Sequence, residues 1–331
     1  MTSSPQQPEG LVLCGLDGSN PLAFLAALGT LRTLSLAWPD RRVKMAWSQH
    51  DVAWRPEIHM LPGAAQDEIV ESIIRTLPPF ESLFDSQLLS EAASAGPRNK
   101  RGQPKWQDKL RFPAHTYRSY ATRVQLAATA NDRVSADLAA AWAIESEVEE
   151  VDGIDVARRT SFDFTAGNQA FVAMVRELWL SVSPQAIRNA LCSSWSYTPG
   201  TSLRWDPLDE SRRYALQAIN PQDGCHNPIL SVPVANVLAV MALPLFPIIP
   251  SSGHTAQPGF SRHQKRRFLY WPIWSRRASL PLVTSLLGLS QLAVPVLAPE
   301  LRERGVVACF RSEIVLPSER YRNFTPATAM F

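Results

Sequence analysis

Residues 10–37 read GLVLCGLDGSNPLAFLAALGTLRTLSLA, and they carry the clearest structural pattern in the chain. The apolar run over 11–15 predicts a short strand, and LDGSNP after it predicts a turn. Asn20 is a good helix N-cap and Pro21 suits the first helical position. Leucines then recur at helical spacing, so the sequence predicts a helix over 21–37. Its small residues would let a second backbone approach it closely.

On either side of this unit, extended and helical patterns follow one another without a strict βαβ rhythm. We predict further strands over 43–47, 52–59, 159–164, 268–274 and 306–310, and extended pieces over 203–206 and 213–216. We predict further helices over 66–76, 115–130, 135–150, 168–180, 184–192, 234–243 and 281–287. The expected fold class is therefore α+β, with mixed helices and short, mostly antiparallel strands joined by Pro-rich connections.

The chain is long enough for one large domain or two ordinary ones. An acidic cluster at 145–155 is a candidate hinge between two lobes. We predict an N-terminal α+β lobe over 1–150, which contains a basic loop at 94–113, and a C-terminal α+β lobe over 151–331. A single domain is the alternative.

Composition excludes several classes of protein. Hydrophobic residues make up 45% of the 331 residues and charged residues 19%, which excludes wholesale disorder. The polar N-terminus does not resemble a signal peptide, and prolines interrupt the most apolar stretch, 232–250, so we expect neither a membrane helix nor a membrane partner. The cysteines form no closely spaced pair, which is typical of reduced thiols in a cytoplasmic protein. These cysteines are Cys14, Cys192, Cys225 and Cys309.

No catalytic or metal-binding motif accompanies these features. The chain lacks GxSxG, HExxH, GxxxxGK[ST] and GxGxxG patterns, so we predict no catalytic residue, no metal and no cofactor. Asp17 fits either a carboxylate site or a turn that its side chain stabilises. Asp206, near Asp209 and Glu210, fits either a divalent-ion site or salt bridges with neighbouring arginines. Cys225 precedes a histidine, but its flanking residues favour an exposed turn.

The strongest functional signals are two basic runs in a chain whose net charge is only +3. The first run, 98–123, has Asp108 as its only acidic residue, and the second, 262–277, has none. Cationic side chains neutralise phosphates, and the aromatic rings interleaved in the first run can stack on unpaired bases. We therefore predict nucleic-acid binding, with an acidic protein surface or a solvated charged face as the alternatives. The predicted binding residues are Arg98, Lys100, Arg101, Lys105, Trp106, Lys109, Arg111, Arg118, Arg123, Arg262, Lys265, Arg266, Arg267, Arg276 and Arg277.

Four segments of the chain resemble a known protein family. They are GLDGSNPLAFLAALGTLRTL (15–34), DFTAGNQAFVAMVREL (163–178), TSLRWDPLDESRRYALQA (201–218) and ALPLFPIIPSSG (242–253). Together they are similar to subunits of the CRISPR effector complexes of type I-G, formerly called type I-U. The resemblance is to a large subunit, although this chain is short for one.

The resemblance implies a non-catalytic, cytoplasmic subunit of a Cascade-type, RNA-guided surveillance complex in antiviral defence. In such complexes base pairing identifies the target, and protein contacts go mainly to the backbone and to a short flanking motif. The implied partners are a guide RNA, target DNA at its flanking motif or displaced strand, other CRISPR effector subunits, and a recruited helicase-nuclease. A protein interaction module without nucleic-acid contact and an enzyme with an unrecognised site remain as alternatives.

Overall fold

The helix predicted over 21–37 forms with those bounds as α1 (Pro21–Ala37), and the rest of the protein encloses most of it. The Asn20 side chain caps its N-terminus, because Oδ1 accepts hydrogen bonds from the backbone N–H groups of Leu22 and Ala23 at 2.9 and 3.2 Å. Every residue from Pro21 to Leu34 is buried. A helix enclosed on all sides needs no polar face, which explains the nearly continuous apolar sequence of α1.

The computed structural model describes residues 10–129, 132–219, 228–251, 254–318 and 321–331. The other helices in these ranges are α2 (Gln66–Thr76), α3 (Phe80–Leu83), α4 (Ser86–Ala95), α5 (Ala114–Ala127), α6 (Val134–Trp142), α7 (Phe171–Trp179), α8 (Pro184–Cys192), α9 (Pro207–Ile219), α10 (Pro233–Ala242), α11 (Leu280–Leu287) and α12 (Pro299–Glu303). Short 3-10 helices lie at Pro39–Arg41, Leu243–Leu245 and Ser290–Ala293. Within the described ranges, no helix combines the length and the apolar character needed to cross a membrane.

The backbones of α1 and α10 pack closely against each other at Gly29. A Cβ atom placed on Gly29 would lie 1.7 Å from the backbone oxygen of Leu238 in α10. Since no side chain fits in that space, glycine allows the two helices to pack at this distance. The close approach that the small residues of α1 predict is thereby confirmed at Gly29.

Two antiparallel sheets pack against α1 through aromatic side chains. The first sheet has the strand order β1 (Gly10–Val12), β3 (Ala53–His59), β2 (Lys44–His50) and β12 (Ala278–Ser279). The second has the order β10 (Phe260–His263), β11 (Arg266–Trp274), β13 (Val306–Ser318) and β14 (Tyr321–Phe324), with β15 (Thr328–Ala329) also paired to β13. The ring of Phe24 in α1 lies 5.8 Å from the rings of both Trp47 and Trp271, one from each sheet.

Three two-stranded ribbons complete the strands of the described ranges. They are β4 (Ala143–Val151) with β5 (Ile154–Arg159), β6 (Thr198–Pro199) with β7 (Leu230–Ser231), and β8 (Ile249–Ser251) with β9 (His254–Ala256). All three are antiparallel, as are the pairings in both larger sheets. The predicted α+β fold class, with mixed helices and short antiparallel strands, is confirmed.

Several predicted elements differ from the structure. The helix predicted over 135–150 is wrong beyond Trp142, where α6 ends and the acidic strand β4 begins. The turn after β4 is Asp152–Gly153, with φ values of 54° and 79°, a typical hairpin turn that reverses the chain into β5. The extended piece predicted over 213–216 is also wrong, because these residues belong to α9.

One hydrophobic core draws on both predicted lobes. Its members range from Leu13 near the N-terminus to Phe324 near the C-terminus. The boundary predicted at residue 150 falls inside β4, which pairs with β5 on the other side of that boundary. The pairing of β2 with β12 also joins the two halves. These pairings cross the predicted boundary and connect residues of one hydrophobic core.

Candidate nucleic-acid interface

Cationic side chains line a cleft formed by β5, the β10–β11 hairpin and β14. Two adjoining cavities of about 610 and 600 Å³ make up the cleft, and Thr160, Arg262, Arg267 and Arg322 line both. We call this surface the cationic cleft. Its cationic residues are Arg158, Arg159, Arg262, Lys265, Arg266, Arg267 and Arg322, and its acidic residues are Glu149 and Glu313.

The β10–β11 hairpin concentrates positive charge at the centre of the cleft. Its turn residues Gln264 and Lys265 have φ values of 48° and 69°, the left-handed conformation that a type I′ turn requires. The resulting register places Arg262 directly opposite Arg267. Because like charges in opposed positions destabilise a strand pair, this arrangement carries a cost that a bound anion would remove.

Arg267 lies half-buried between the two cavities of the cleft. Its guanidinium lies 5.5 Å from the centroid of the Phe260 ring and donates a hydrogen bond to the hydroxyl of Ser161. The pKa of Arg267 is lowered to about 10, first by burial and then by neighbouring positive charges. These charges belong to Arg262, Arg322 and Arg158. The folded protein therefore holds this guanidinium in surroundings that disfavour its charged form.

Carboxylates neutralise only part of the cleft. Arg159 forms a salt bridge with Asp163 at 2.7 Å, and Arg266 forms one with Glu313 at 3.5 Å. In the portion of the chain that the structure describes, the remaining cations of the cleft have no carboxylate in salt-bridge contact. These cations are Arg158, Arg262, Lys265, Arg267 and Arg322. An uncompensated cluster of this kind attracts anionic ligands.

Replacing Arg267 by Met is expected to raise the free energy of unfolding by about 1 kcal/mol, because it removes a charge that burial and its neighbours disfavour. Met retains an apolar chain over the Phe260 ring. Urea denaturation measures the change. Arg311→Met is the matched control, since Arg311 also lies over a ring, 5.1 Å from the centroid of Phe268, but outside the cluster. If Arg267→Met and Arg311→Met lost the same amount of stability, the proposed repulsion between Arg267 and its neighbouring cations would be contradicted.

The middle of the first basic run lies beside β5, which borders the cationic cleft. The backbone oxygen of Phe112 accepts a hydrogen bond from the N–H of Ala157 in β5 at 2.8 Å. Burial lowers the pKa of Lys109, and the charges of Arg111 and Arg159 lower it further. Charges influence one another's pKa only over short distances, so Lys109 lies close to both Arg111 and Arg159. Lys109 and Arg111 therefore extend the positive potential of the cleft along β5.

Other members of the first run lie on the exposed surface. Arg98 Nη1 donates a hydrogen bond to the backbone oxygen of Gly102 at 2.6 Å, within its own loop. Arg123 forms a salt bridge with Asp85 at 2.9 Å, so a carboxylate compensates its charge. The other exposed cations of the run are Lys100, Arg101, Lys105 and Arg118. They are available to an anionic partner.

The predicted role of Trp106 as a stacking surface is wrong for this conformation. Its side chain is only 1% exposed, and it packs against Gly96, where an added Cβ would lie 2.5 Å from the indole. The other rings of the first run, those of Phe112, Tyr117 and Tyr120, are also buried. The large rings of this basic run fill the core. The cations of the run, and not its rings, therefore lie at the surface.

The second basic run does not form one continuous surface. Strand β11 rises eight times between Arg266 in the cleft and Trp274, about 26 Å at ~3.3 Å per residue, and Arg276 and Arg277 lie beyond that end. Arg276 donates a hydrogen bond to the backbone oxygen at the end of α12 at 3.0 Å. Arg277 lines a separate cavity of about 130 Å³ with Arg42 and Lys44. The predicted site thus divides into two cationic surfaces, and the larger contains Arg262 to Arg267.

Sequence reasoning missed three arginines of the cleft, Arg158, Arg159 and Arg322. The first two are adjacent, but acidic residues surround them in the sequence, so they do not form a basic run. Arg322 follows the start of β14, whose neighbour in space is the segment after β5, because the Arg322 N–H donates to the backbone oxygen of Phe164 at 3.2 Å. Only the pairing of distant segments brings these side chains together.

Two of the candidate carboxylate sites serve the local structure. Asp17 Oδ1 accepts a hydrogen bond from the backbone N–H of Ser19 at 2.9 Å, which confirms the turn interpretation. Asp209 pairs with Arg212 at 2.8 Å, and Glu210 pairs with Arg204 at 2.5 Å, so the salt-bridge interpretation is confirmed for both acids.

Asp206 differs from its neighbours because no arginine pairs with it in the described ranges. It accepts hydrogen bonds from Asn20 Nδ2 at 3.0 Å and from the hydroxyl of Tyr197 at 2.7 Å. Burial raises the pKa of Asp206 even though these donors favour its charged form. The carboxylate thus connects the N-cap of α1 to the segment before α9.

Neither a metal site nor a disulfide emerges from the parts of the chain that the structure describes. No group of three or more His, Cys, Asp or Glu residues in these ranges could hold a metal ion. Cys14, Cys192 and Cys309 are free thiols. The remaining candidate, Cys225, lies outside the described residues.

Comparison of the chain with protein-family models, with curated proteins and with solved structures found no match. The cationic cleft combines three properties: two joined cavities, opposed arginines and incomplete neutralisation by carboxylates. All three favour an extended anionic ligand.

Proposed function

We propose that this protein is a non-catalytic nucleic-acid-binding subunit that holds a phosphate backbone in the cationic cleft. The observation that carries the proposal is the cross-strand pair of Arg262 and Arg267, which no carboxylate compensates in the described ranges. A polyanion supplies the missing negative charge at several points along the cleft. Such contacts bind any sequence, because phosphates carry no base identity.

The shape of the cleft supports an extended ligand rather than a single small anion. Its two cavities share Arg267 and Arg322 at their junction and then diverge, one toward Lys265 and Arg266, the other toward Arg158. Lys109 and Arg111 continue the positive potential beyond Arg159. Successive phosphates of one strand can therefore contact successive cations of this surface.

The resemblance to subunits of type I-G CRISPR effector complexes suggests where this binding activity would be used. We propose that the chain works in the cytoplasm within a CRISPR RNA-guided surveillance complex. There the cleft would contact target DNA, at the flanking motif or the displaced strand, or the guide RNA. The other proposed partners are further effector subunits and the helicase-nuclease that the complex recruits. In this setting base pairing supplies the sequence specificity and the cleft supplies backbone contacts.

A salt titration of binding tests the proposed function. The double variant Arg262→Ala with Arg322→Ala removes two exposed cleft cations. For a short single-stranded DNA measured by fluorescence anisotropy, we expect this variant to bind on the order of tenfold more weakly at low salt. Each lost phosphate contact lowers the slope of log affinity against log salt by about 0.7, so the slope should fall by about 1.4.

The matched control is Arg302→Ala with Arg304→Ala, which removes the same charge from exposed positions around α12. We expect this control to retain the wild-type slope, because its arginines lie outside the cleft. Equal slopes in the wild type and the cleft variant would exclude the cleft as the binding surface. Binding of an acidic protein, together with no binding of DNA or RNA, would overturn the proposed function itself.

A further inference from the structure

An apolar cavity of about 300 Å³ adjoins the cationic cleft. Its walls come from the segment before β10, from β11 and from the end of α11 with the 3-10 helix that follows. The apolar residues among them include Ile249, Pro258, Tyr270, Leu287, Leu289 and Leu292. A cavity of this size lies at the lower limit for small-molecule sites, and its apolar lining suits a flat, weakly polar group.

The wall between the apolar cavity and the cationic cleft is shared. Ala256, Gln257, Phe260 and Ser261 line both spaces. On the cleft side, the Phe260 ring lies beneath the guanidinium of Arg267 at 5.5 Å. A strand whose phosphates occupy the cleft would therefore lie beside this shared wall, with the Phe260 ring at the boundary.

The shared wall is held in place by buried hydrogen bonds. Gln257 Nε2 donates to the hydroxyl of Thr160 at 3.0 Å and to the backbone oxygen of Phe246 at 2.8 Å. Gln257 Oε1 accepts from the backbone N–H of Ser161 at 2.9 Å. The Phe260 ring also packs edge-on against Phe162, with centroids 4.8 Å apart. The cavity is thus formed before any ligand binds, which reduces the entropic cost of binding.

We propose that this cavity receives one unstacked nucleobase of a strand whose backbone lies in the cationic cleft. The proposal rests on the proposed function and specifies its ligand as single-stranded nucleic acid, since a base inside a duplex cannot leave its stack without breaking a pair. Apolar walls and a ring at the entrance suit the face of any base, so the site favours unpaired bases without selecting a sequence.

A strand without bases provides the test. A single-stranded DNA of stable abasic units keeps every phosphate but presents no base to the cavity. We expect the wild-type protein to bind this strand on the order of tenfold more weakly than a normal strand of equal length. A duplex of the same length should also bind more weakly than the normal single strand, because its bases stay stacked and cannot enter the cavity.

A variant that fills the cavity identifies where the base binds. Ser290 is exposed and lines the cavity, whereas Ser285 is exposed on α11 outside it. Ser290→Leu should bind normal and abasic strands equally, and Ser285→Leu should keep the wild-type preference. Ala293→Leu, on the same wall, is the second filling variant if Ser290→Leu unfolds at a lower temperature than the wild type.

The outcomes separate the two proposals. If the wild type binds normal and abasic strands equally and with the same salt dependence, the base site is wrong while backbone binding in the cleft stands. If both filling variants keep the preference for the normal strand, the base binds elsewhere and this assignment is overturned. If the wild type binds neither strand, the proposed function fails, and the base site fails with it.

Discussion

Gly29→Ala is expected to lower the free energy of unfolding by about 3 kcal/mol, because the added methyl group has no space between α1 and α10. The new Cβ would lie 1.7 Å from the backbone oxygen of Leu238, so the helices themselves would have to separate. Neither backbone has a flexible side chain to move at this point. The fully buried position of α1 transmits the shift to the surrounding core.

Chemical denaturation followed by circular dichroism measures this loss, and Gly288→Ala is the matched control. A Cβ on Gly288 would meet its nearest neighbour at 3.7 Å, an ordinary contact, and its backbone conformation suits any residue. The control should therefore be neutral or stabilise the protein by up to ~1 kcal/mol. Equal stability of the two variants would show that α1 and α10 do not pack as closely as the structure indicates.

Asp163→Ala is expected to lower the free energy of unfolding by about 3 kcal/mol and to alter the cationic cleft. The carboxylate is buried, and it accepts hydrogen bonds from Arg159 Nη1 at 2.7 Å and from the backbone N–H and hydroxyl of Thr165 at 2.9 and 2.6 Å. Removing it leaves three donors without their acceptor, and each unsatisfied buried donor costs ~1–3 kcal/mol.

Asp163→Asn separates the charge from the hydrogen bonds. The amide oxygen can still accept from Thr165, but it no longer compensates Arg159, so we expect a loss of about 1 kcal/mol. Because the charge of Arg159 becomes available, nucleic-acid binding by the Asn variant should become more salt-dependent than in the wild type. An unchanged salt dependence would indicate that Arg159 does not contact the strand.

The small net charge of +3 does not weaken the case for an anionic ligand. Acidic residues elsewhere balance the total, whereas the potential inside a cleft depends on the charges that line it. In the cationic cleft the walls provide seven cations and two carboxylates. The weak overall charge limits non-specific attraction to polyanions, so the proposed binding would be concentrated at this surface.

The sequence by itself determined the elements that depend on neighbouring residues. The bounds of α1 and α8 follow from their caps, prolines and helical spacing, because these interactions act within one or two turns. The arginines at 262–267 were identifiable because they lie together in the chain and no acid interrupts them. The helical pattern that precedes the Asp152–Gly153 turn led instead to a wrong prediction for 143–150.

Tertiary structure decided which charges remain uncompensated and which rings are exposed. Arg158 and Arg322 join Arg267 because β5 and β14 meet beside the hairpin, a contact between segments more than a hundred residues apart. Folding also buries Trp106 and brings Asp85 into a salt bridge with Arg123. Burial and electrostatic compensation depend on distance in space, which local sequence patterns do not encode, so the cleft could be assembled only from the fold.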